Sequence, residues 1–283
     1  MPGPVSPDRL DLSAPGFDRS ALAAGQYRDD ARFRRRTFIY DHVELDAPAP
    51  TSFADWVLDR IPWTGTETVV DVGCGNGAYL GPLARRAERV IGVDLAAGML
   101  RSAARHSGGA SLVLADAQQL PLADDRADAV VAAHMLYHVP DIRAAVTECR
   151  RLLRPGGMLL AAANGRDDKS EIVDLWTSAG TNVIGAAFEP PRWSRRFHLE
   201  LGEPLMAELF DDVSVYRLPG RFRFTEPTPV IRWAETLRDG TEPLIDERSW
   251  DEVLAELERL VVAHIEAHGT FVVTKDSGVL VAR

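Results

Sequence analysis

The feature that most constrains the fold of this 283-residue chain is a regular alternation of apolar and helical patterns between residues 67 and 164. Short runs rich in valine, leucine and alanine, such as "ETVVDV", "RVIGVDL" and "GMLLAAAN", are separated by helical patterns of about ten residues. Strands and helices that alternate in this way form βαβ units, in which helices cover both faces of a parallel sheet. The alternation therefore predicts a doubly wound α/β domain.

Composition and charge argue against several classes of function. The formal net charge of −10 opposes nonspecific binding to nucleic acid or to an anionic membrane, because the long-range field repels phosphate groups. The chain lacks a run of eighteen apolar residues, and its first residues do not have the pattern of a signal peptide. We expect a soluble, cytoplasmic protein whose two cysteines are buried and unpaired. We interpret the presence of only two lysines, Lys169 and Lys275, as coding bias.

A glycine-rich turn follows the first strand of the alternation in the segment "VVDVGCGNG". A strand, such a turn and a helix together bind polar or anionic ligands, since glycine allows close backbone approach and the helix presents free N–H groups. The same residues also fit the dinucleotide pattern, with Gly73, Gly75 and Ala78 in its three small positions. A nicotinamide-dependent oxidoreductase is therefore an alternative, and so is a tight turn that binds nothing.

Acidic residues end three successive predicted strands. Asp71 precedes the glycines, Asp94 closes "VIGVD", and Asp116 closes "LVLAD". The carboxyl ends of parallel strands meet at one edge of a sheet, where open α/β folds bind ligands. Asp71 would repel a pyrophosphate and attract an ammonium group. Asp94 can accept hydrogen bonds from both hydroxyls of a ribose, or it can cap the following helix.

Four motifs in order resemble the class I S-adenosylmethionine-dependent methyltransferases. These are "VVDVGCGNG", "VIGVDLAAGML", "ADAQQLPL" and "LLRPGGMLLAA", and the resemblance covers about residues 65 to 165. It implies a doubly wound, seven-stranded, mostly parallel Rossmann-like sheet whose last strand runs antiparallel. It also implies S-adenosylmethionine as the cofactor and S-adenosylhomocysteine as the product.

The resemblance assigns cofactor contacts to positions that match the motifs of the family. Asp71 and Gly73 approach the methionine portion, Asp94 holds the ribose, and His134 lies near the methionine amino group through its backbone. Leu95 and Met99 flank the adenine, and Asp116 with Ala117 recognises its amino edge. Met99 is equally well read as a core residue. Tyr27 contacts the cofactor from an N-terminal helix that closes over it, or packs in an aromatic core. The full set is Tyr27, Asp71, Gly73, Gly75, Gly77, Asp94, Leu95, Met99, Asp116, Ala117 and His134.

The fold implied by the family divides the chain into three parts. Residues 1–62 form an N-terminal tail and a helical lid, with a helix over residues 24–45. Residues 63–165 form the S-adenosylmethionine-binding core. Residues 166–283 complete the sheet and add helical insertions around a substrate pocket, after strand 5 and between strands 6 and 7. We predict "DVSVYRLPGRFRF" as the sixth strand and "GTFVVTKDSGVLVAR" as the last, with a turn at Ser277–Gly278.

Candidates for the acceptor side follow the fourth strand in "AAHMLYHVPD". His138 is the first choice for a catalytic residue, followed by His134 and Tyr137, because histidine titrates near neutral pH. Each of the three is also explained by a purely structural role. We expect no metal, since neither histidine pair has a third ligand that can be placed.

A second group of acceptor candidates lies in the arginine-rich and aromatic segment "EPPRWSRRFHL". Aromatic rings and guanidinium groups can hold a planar or carboxylate-bearing acceptor, although a solvated surface loop explains the pattern equally well. The candidates for the substrate pocket are Trp193, Arg196, Phe197 and His198.

The sequence as a whole predicts methyl transfer to a small-molecule acceptor. N- or O-methylation is favoured over C-methylation, in specialised metabolism, by a monomer or homodimer without nucleic-acid or membrane partners. Two alternatives are an NAD(P)-dependent oxidoreductase that uses "GCGNGA" and a protein of the same fold that binds the cofactor without turnover.

Overall fold

The structure is a computed structural model that describes residues 35–46, 52–185, 187–190, 195–238 and 247–283. Its strands are β1 (Val43–Leu45), β2 (Thr68–Val72), β3 (Arg89–Asp94), β4 (Ser111–Leu114), β5 (Ala127–Ala133), β6 (Leu153–Asn164), β7 (Val213–Arg217), β8 (Gly220–Phe224), β9 (Phe271–Lys275) and β10 (Ser277–Ala282). Its α-helices are α1 (Phe53–Leu58), α2 (Leu80–Ala84), α3 (Ala97–Ala103), α4 (Ile142–Leu152), α5 (Ser170–Ile184), α6 (Leu199–Ala207), α7 (Thr228–Glu235) and α8 (Glu247–His268). None of the helices in these ranges is both long and apolar enough to cross a membrane.

The predicted seven-stranded sheet is confirmed. Its strand order is β4-β3-β2-β5-β6-β10-β7. Strands β2 to β6 pair in parallel, and β10 runs antiparallel to both of its neighbours, β6 and β7. This is the doubly wound, mostly parallel arrangement that the alternation of strands and helices predicts.

Side chains from successive strand residues enter opposite cores, one on each face of the sheet. In β2, Val69 packs with α1 and α2 on one face, whereas Val70 and Val72 pack with α4 and α6 on the other. The helices begin at caps that the sequence supplies. The Ser52 side chain accepts the Asp55 N–H at 3.0 Å at the start of α1, and Asp141 accepts the Ala144 N–H at 2.9 Å at the start of α4.

A second, three-stranded antiparallel sheet was not predicted. Its order is β1-β8-β9. Three predictions were therefore wrong in detail. The predicted helix over residues 24–45 contains strand β1. The predicted sixth strand consists of two strands, β7 and β8, and the predicted last strand consists of β9 and β10. Strands β7 and β8 belong to different sheets, and so do β9 and β10. Gly220 permits the close pairing with β1, because a Cβ there would lie 2.5 Å from the Glu44 carbonyl oxygen.

The second sheet has a hydrophobic core of its own. Strands β8 and β9 pack against α5, α7 and α8 through a cluster rich in aromatic residues. Trp176 and Trp250 lie edge to face with ring centroids 5.6 Å apart, and Phe222 and Phe224 are fully buried beside them. Helices α5, α7 and α8 therefore belong to this second layer, whereas α6 packs on the seven-stranded sheet.

Candidate functional site

The glycine loop after β2 needs its glycines for backbone conformation. Gly73, Gly75 and Gly77 have φ angles of +68°, +54° and +88°, which are left-handed. A Cβ at Gly73 would also lie 2.7 Å from the Met135 Cβ, so the loop lies directly against the segment after β5. The carboxyl ends of β2 and β5 therefore meet at this site.

Asp71 is buried beneath this loop with unmet hydrogen-bonding capacity. It is 1% exposed, and its Oδ2 has no hydrogen-bond partner among the described residues. Burial, and then the charge of Asp94, raise the pKa of Asp71 well above its usual range. The Tyr79 hydroxyl is also buried without a partner in the described part of the chain. A ligand that donates hydrogen bonds or carries positive charge would stabilise this arrangement.

Asp94 ends β3 and links it to the glycine loop. Its Oδ2 accepts the Gly75 N–H and its Oδ1 accepts the Ala96 N–H, each at 2.8 Å. Burial raises the pKa of Asp94, and these backbone hydrogen bonds oppose the increase. Each carboxylate oxygen can accept a second hydrogen bond, so the turn-capping role and the predicted role in ribose binding are compatible.

The predicted adenine-contacting residues differ in their exposure. Leu95 is 43% exposed beside Asp94, as an apolar contact for a planar ligand would be. Met99 is buried, and its Cε lies 3.6 Å from the position of a Cβ on Gly75, so it packs beneath the loop. The Asp116 carboxylate accepts hydrogen bonds from the Gln118 backbone at 2.9 Å and from its side-chain amide, and Ala117 is buried next to it. Tyr27 lies outside the described residues.

These residues fit S-adenosylmethionine better than a dinucleotide. The buried Asp71 and the half-buried Asp94 lie at the glycine loop, and Asp71 has an unsatisfied oxygen. S-adenosylmethionine carries a sulfonium, an ammonium and ribose hydroxyls, all of which suit carboxylate acceptors. The pyrophosphate of NAD would place negative charge beside groups that are already costly to ionise.

His134 follows β5 in a strained conformation. Its φ is +53°, which is uncommon outside glycine, and its N–H donates to the Ala162 carbonyl at 2.8 Å. The imidazole lies 5.4 Å from the Phe53 ring. Burial, and then the positive charges of Lys275 and Lys169, lower the pKa of His134 to about 4. The side chain is therefore neutral at pH 7.

Tyr137 and His138 lie in the short 3-10 helix Leu136–His138, with their ring centroids 4.4 Å apart. Burial, and then the charges of Arg36 and Arg196, lower the pKa of His138 to about 3. A neutral imidazole with so low a pKa is a weak proton acceptor. The predicted catalytic roles of these two residues therefore depend on hydrogen bonding and shape more than on base strength.

The structure places the described residues of "EPPRWSRRFHL" in structural roles. The Arg196 guanidinium donates to the carbonyls of Val139 and Pro140 at 3.0 Å, so it fixes the turn after β5. Phe197 is buried in the main core, because its ring fills the space beside Gly202. His198 is buried at the start of α6, with its Nδ1 2.7 Å from the Glu200 carboxylate. Trp193 lies outside the described residues.

Two lysines near the same edge of the sheet are buried, which the sequence analysis did not predict. Lys275, at the end of β9, is 6% exposed, and its Nζ lies 5.6 Å from the centre of the Phe53 ring. Lys169, which is 3% exposed, pairs with Asp168 and lies 5.0 Å from the Tyr40 ring. The sequence held one signal for them, since these are its only lysines, but their burial depends on the unpredicted second sheet.

Comparisons with known proteins agree on one family. A methyltransferase-domain family model matches residues 70–161. A ubiquinone biosynthesis O-methyltransferase of Dinoroseobacter shibae is 33% identical over 177 residues, which cover 57% of this chain and 71% of that protein. A malonyl-[acyl-carrier protein] O-methyltransferase of Serratia marcescens is 33% identical over 124 residues, which cover 44% of this chain and 49% of that protein.

The fold also matches solved structures. Phosphoethanolamine N-methyltransferase 2 of Haemonchus contortus, in complex with phosphomonomethylethanolamine and S-adenosylhomocysteine, superimposes with a TM-score of 0.55 at 19% identity. The match covers 95% of this chain and 60% of that one. The chain spans about half the length of most of the curated relatives it matches.

Proposed function

The chain belongs to the class I S-adenosylmethionine-dependent methyltransferases, with S-adenosylmethionine as its cofactor, and we propose that it methylates an oxygen or nitrogen atom of a small-molecule acceptor. The single observation that carries this proposal is the buried Asp71 carboxylate, which has an unsatisfied oxygen beneath three left-handed glycines. C-methylation is a less favoured outcome at the same site.

The donor residues have separate roles in the proposal. Asp71 and Gly73 approach the methionine portion, Gly75 and Gly77 line the loop, and Asp94 accepts the ribose hydroxyls. The adenine is contacted by Leu95, Met99, Asp116 and Ala117. His134, at the end of β5, lies near the methionine amino group, and Tyr27 closes over the cofactor. When bound, S-adenosylmethionine supplies an electrophilic methyl group on a sulfonium.

The acceptor residues act by positioning and by excluding water. Phe53 and His134 form an apolar and aromatic surface next to Met135, which touches Gly73. A nucleophile aligned and desolvated there gains most of the advantage available to an in-line displacement. His134, Tyr137 and His138 remain the proposed catalytic residues, as hydrogen-bonding groups, because the lowered pKa values of the two histidines make them weak bases.

The acceptor class is proposed from the absence of a macromolecular docking signal in the composition. The net charge of −10 disfavours a nucleic-acid substrate. The relatives include an O-methyltransferase of ubiquinone biosynthesis and a malonyl-[acyl-carrier protein] O-methyltransferase, and these support O-methylation. The relatives do not indicate specialised metabolism, and we propose that setting from the sequence resemblance alone. We also keep a cytoplasmic location and a monomer or homodimer in the proposal.

Thermal melting separates this proposal from the oxidoreductase alternative. S-adenosylhomocysteine at about one hundred times its dissociation constant should stabilise the protein by about 2.7 kcal/mol, because it binds only the folded state. NADH at the same concentration should leave the melting temperature unchanged. Stabilisation by NADH and not by S-adenosylhomocysteine would reverse the proposal.

Asp94→Ala tests the ribose contact. It removes a charged acceptor and the link between β3 and the loop, so the affinity for S-adenosylhomocysteine should fall about 100-fold in calorimetry. Asp211→Ala is the matched control, since Asp211 is an exposed carboxylate and should leave the affinity unchanged. An Asp94→Ala affinity within twofold of the wild type would exclude this role.

A methyl-labelled cofactor tests for turnover. Incubation with small-molecule extracts should produce labelled products that depend on the protein and that Asp94→Ala reduces. Tight binding of S-adenosylhomocysteine with no labelled product from any extract would favour a protein of this fold that binds the cofactor without turnover.

A further inference from the structure

The two lysines of this chain lie close together in the structure. Of the 32 lysine and arginine residues only two are lysines, and both are buried where the two sheets meet. Lys169 follows the end of β6, and Lys275 is the last residue of β9. An arginine in either position would bring a larger, permanently charged group, whereas a lysine is compact and can change its protonation state.

The two lysines differ in their partners. Lys169 forms an ion pair with Asp168, and its Nζ lies 3.4 Å from the Tyr40 hydroxyl. Lys275 has no hydrogen-bond partner at Nζ among the residues that the structure describes. The two carboxylates that act on its charge are already engaged, since Asp168 pairs with Lys169 and Asp276 pairs with Arg217. A buried ammonium in this state lacks a counter-ion.

The position of Lys275 is fixed at the active edge of the seven-stranded sheet. Ser277, two residues further on, pairs with Asn164 at the carboxyl end of β6, and its hydroxyl lies 3.0 Å from the Asn164 side-chain oxygen. The Asp276 N–H donates to Asp168 at 3.0 Å. These contacts hold the end of β9 in place without using the Lys275 ammonium.

A chain of contacts joins Lys275 to the donor loop. Its Nζ faces the Phe53 ring, which packs against His134. The next residue, Met135, contacts Gly73. Phe53, His134 and Met135 therefore link Lys275 to the glycine loop, and an aromatic ring lies next to its charge.

We propose that Lys275 binds an anionic oxygen of the methyl acceptor, a carboxylate or an ionised hydroxyl, while an apolar or aromatic part of the acceptor packs on Phe53. The inference rests on the proposed function and names the acceptor class of that site. An anion there would give the buried ammonium the partner that it lacks, so binding and charge pairing would favour acidic acceptors over neutral ones of the same shape.

Lysine-specific NMR tests the proposal directly. The protein labelled with ε-13C-lysine should give two signals, one for each lysine, and the signal that disappears in Lys275→Met belongs to Lys275. The full chain, saturated with S-adenosylhomocysteine at pH 7, is titrated with benzoate, with 4-nitrophenol as the ionisable hydroxyl, and with benzamide as a neutral isostere. At least one anion should shift the Lys275 signal saturably and bind at least tenfold more tightly than benzamide. The Lys169 signal should not move.

Two variants and a pH series complete the test. Lys275→Met should abolish the preference for the anion and leave benzamide binding unchanged, whereas Lys275→Arg should keep part of the preference. The charged and titratable groups that face Lys275 are Lys169, Asp168, Asp276 and His134. Burial lowers the pKa of Lys275 to about 8. Anion binding should therefore weaken as the pH rises through that value, because the ammonium loses its proton. A Lys275 signal that ignores both anions, or one that titrates at or above the ordinary lysine pKa, overturns the inference.

The inference and the proposed function can fail separately. Calorimetry with S-adenosylhomocysteine alone reports the donor site and does not require Lys275. Intact cofactor binding without a preference for anions would refute only the acceptor class. An anion preference measured without S-adenosylhomocysteine, in a protein that does not bind it, would refute the methyltransferase proposal and leave Lys275 as an anion-binding residue of another site.

Discussion

The two halves of the proposed site contain ionisable side chains of opposite charge type. Asp71 and Asp94 lie at the glycine loop, and Lys169 and Lys275 lie where the second sheet meets the first. The net charge of −10 predicts neither arrangement, because it is a sum over the whole chain and carries no information on position. The difference supports the proposal that one half binds a cationic donor and the other an anionic acceptor.

The two halves are also alike in one respect. Each contains one charged residue that the protein itself satisfies and one that it does not. Asp94 and Lys169 have partners close by, whereas Asp71 and Lys275 have buried atoms that lack hydrogen bonds in the described part of the chain. Removing a satisfied charge should therefore damage the fold, and removing an unsatisfied one should stabilise it at the expense of ligand binding.

The largest effect is expected for Lys169→Met. The variant leaves Asp168 as a buried carboxylate without its counter-ion, so the free energy of unfolding should fall by about 3–5 kcal/mol. Urea denaturation at pH 7 measures it. The double variant Lys169→Met/Asp168→Asn should recover much of the loss, because the amide oxygen can still accept the Asp276 N–H. A loss below about 1 kcal/mol would show that the pair is not truly buried.

Lys275→Met should have the opposite sign. Burial lowers the pKa of Lys275 from 10.5 to about 8, although Asp168 opposes this, so the folded state carries the cost of the charge below pH 8. The variant should be more stable than the wild type by about 2–3 kcal/mol at pH 7. The wild type loses this cost as the pH rises from 8 to 10.5, so the difference should vanish near pH 10.5. Destabilisation at pH 7 would mean that Lys275 has a partner.

Asp71→Asn is the corresponding change in the donor half. The raised pKa of Asp71 means that its charged form is disfavoured in the folded state, so the variant should gain about 1–2 kcal/mol at pH 7 without cofactor. The gain should shrink as the pH falls, because the wild-type carboxyl then takes up a proton. The affinity for S-adenosylhomocysteine should fall about tenfold. Greater stability with undiminished affinity would remove Asp71 from the donor site.

The smallest effect concerns His134, which lies between the two halves. The chain contains seven histidines, and the ring signals of His134 should not titrate between pH 5 and 8, since its pKa is lowered to about 4. NMR of ring-labelled histidine measures this, with His134→Gln for assignment. Lys275→Met should raise the pKa of His134 toward its usual range, because it removes one of the nearby positive charges. Titration near pH 6.5 in the wild type would restore His134 as a candidate base.

The donor half could be predicted from sequence because its signals are local. A strand, three glycines and an acid lie within ten residues, and the acids that end the next strands follow at regular spacing. The seven-stranded sheet has the same advantage, since each helix directly links neighbouring parallel strands. The connection from β4 to β5 and the last part of the sheet lack such a link, and the strand boundaries were predicted wrongly in the last part.

The acceptor half could not be predicted because its contacts are distant in sequence. Strand β1 pairs with β8 across more than 170 residues, as Val43 opposite Phe222 shows. Strands β7 and β8 are separated by two residues and β9 and β10 by one, so each pair looks like one continuous strand. Lys275 then looks like an ordinary exposed residue before a turn. Its burial depends on a sheet that no local pattern indicates.

The single residue between β9 and β10, Asp276, connects the seven-stranded sheet to the three-stranded sheet that carries Lys275. A shift of two residues in the β8–β9 register would move Lys275 by about 7 Å along its strand while the glycine loop stays where it is. The family model ends at residue 161, before either of those strands. If Lys275 binds the acceptor as proposed, we expect exchange of β8 and β9 between relatives to change the acceptor preference and to leave the methyl donor unchanged.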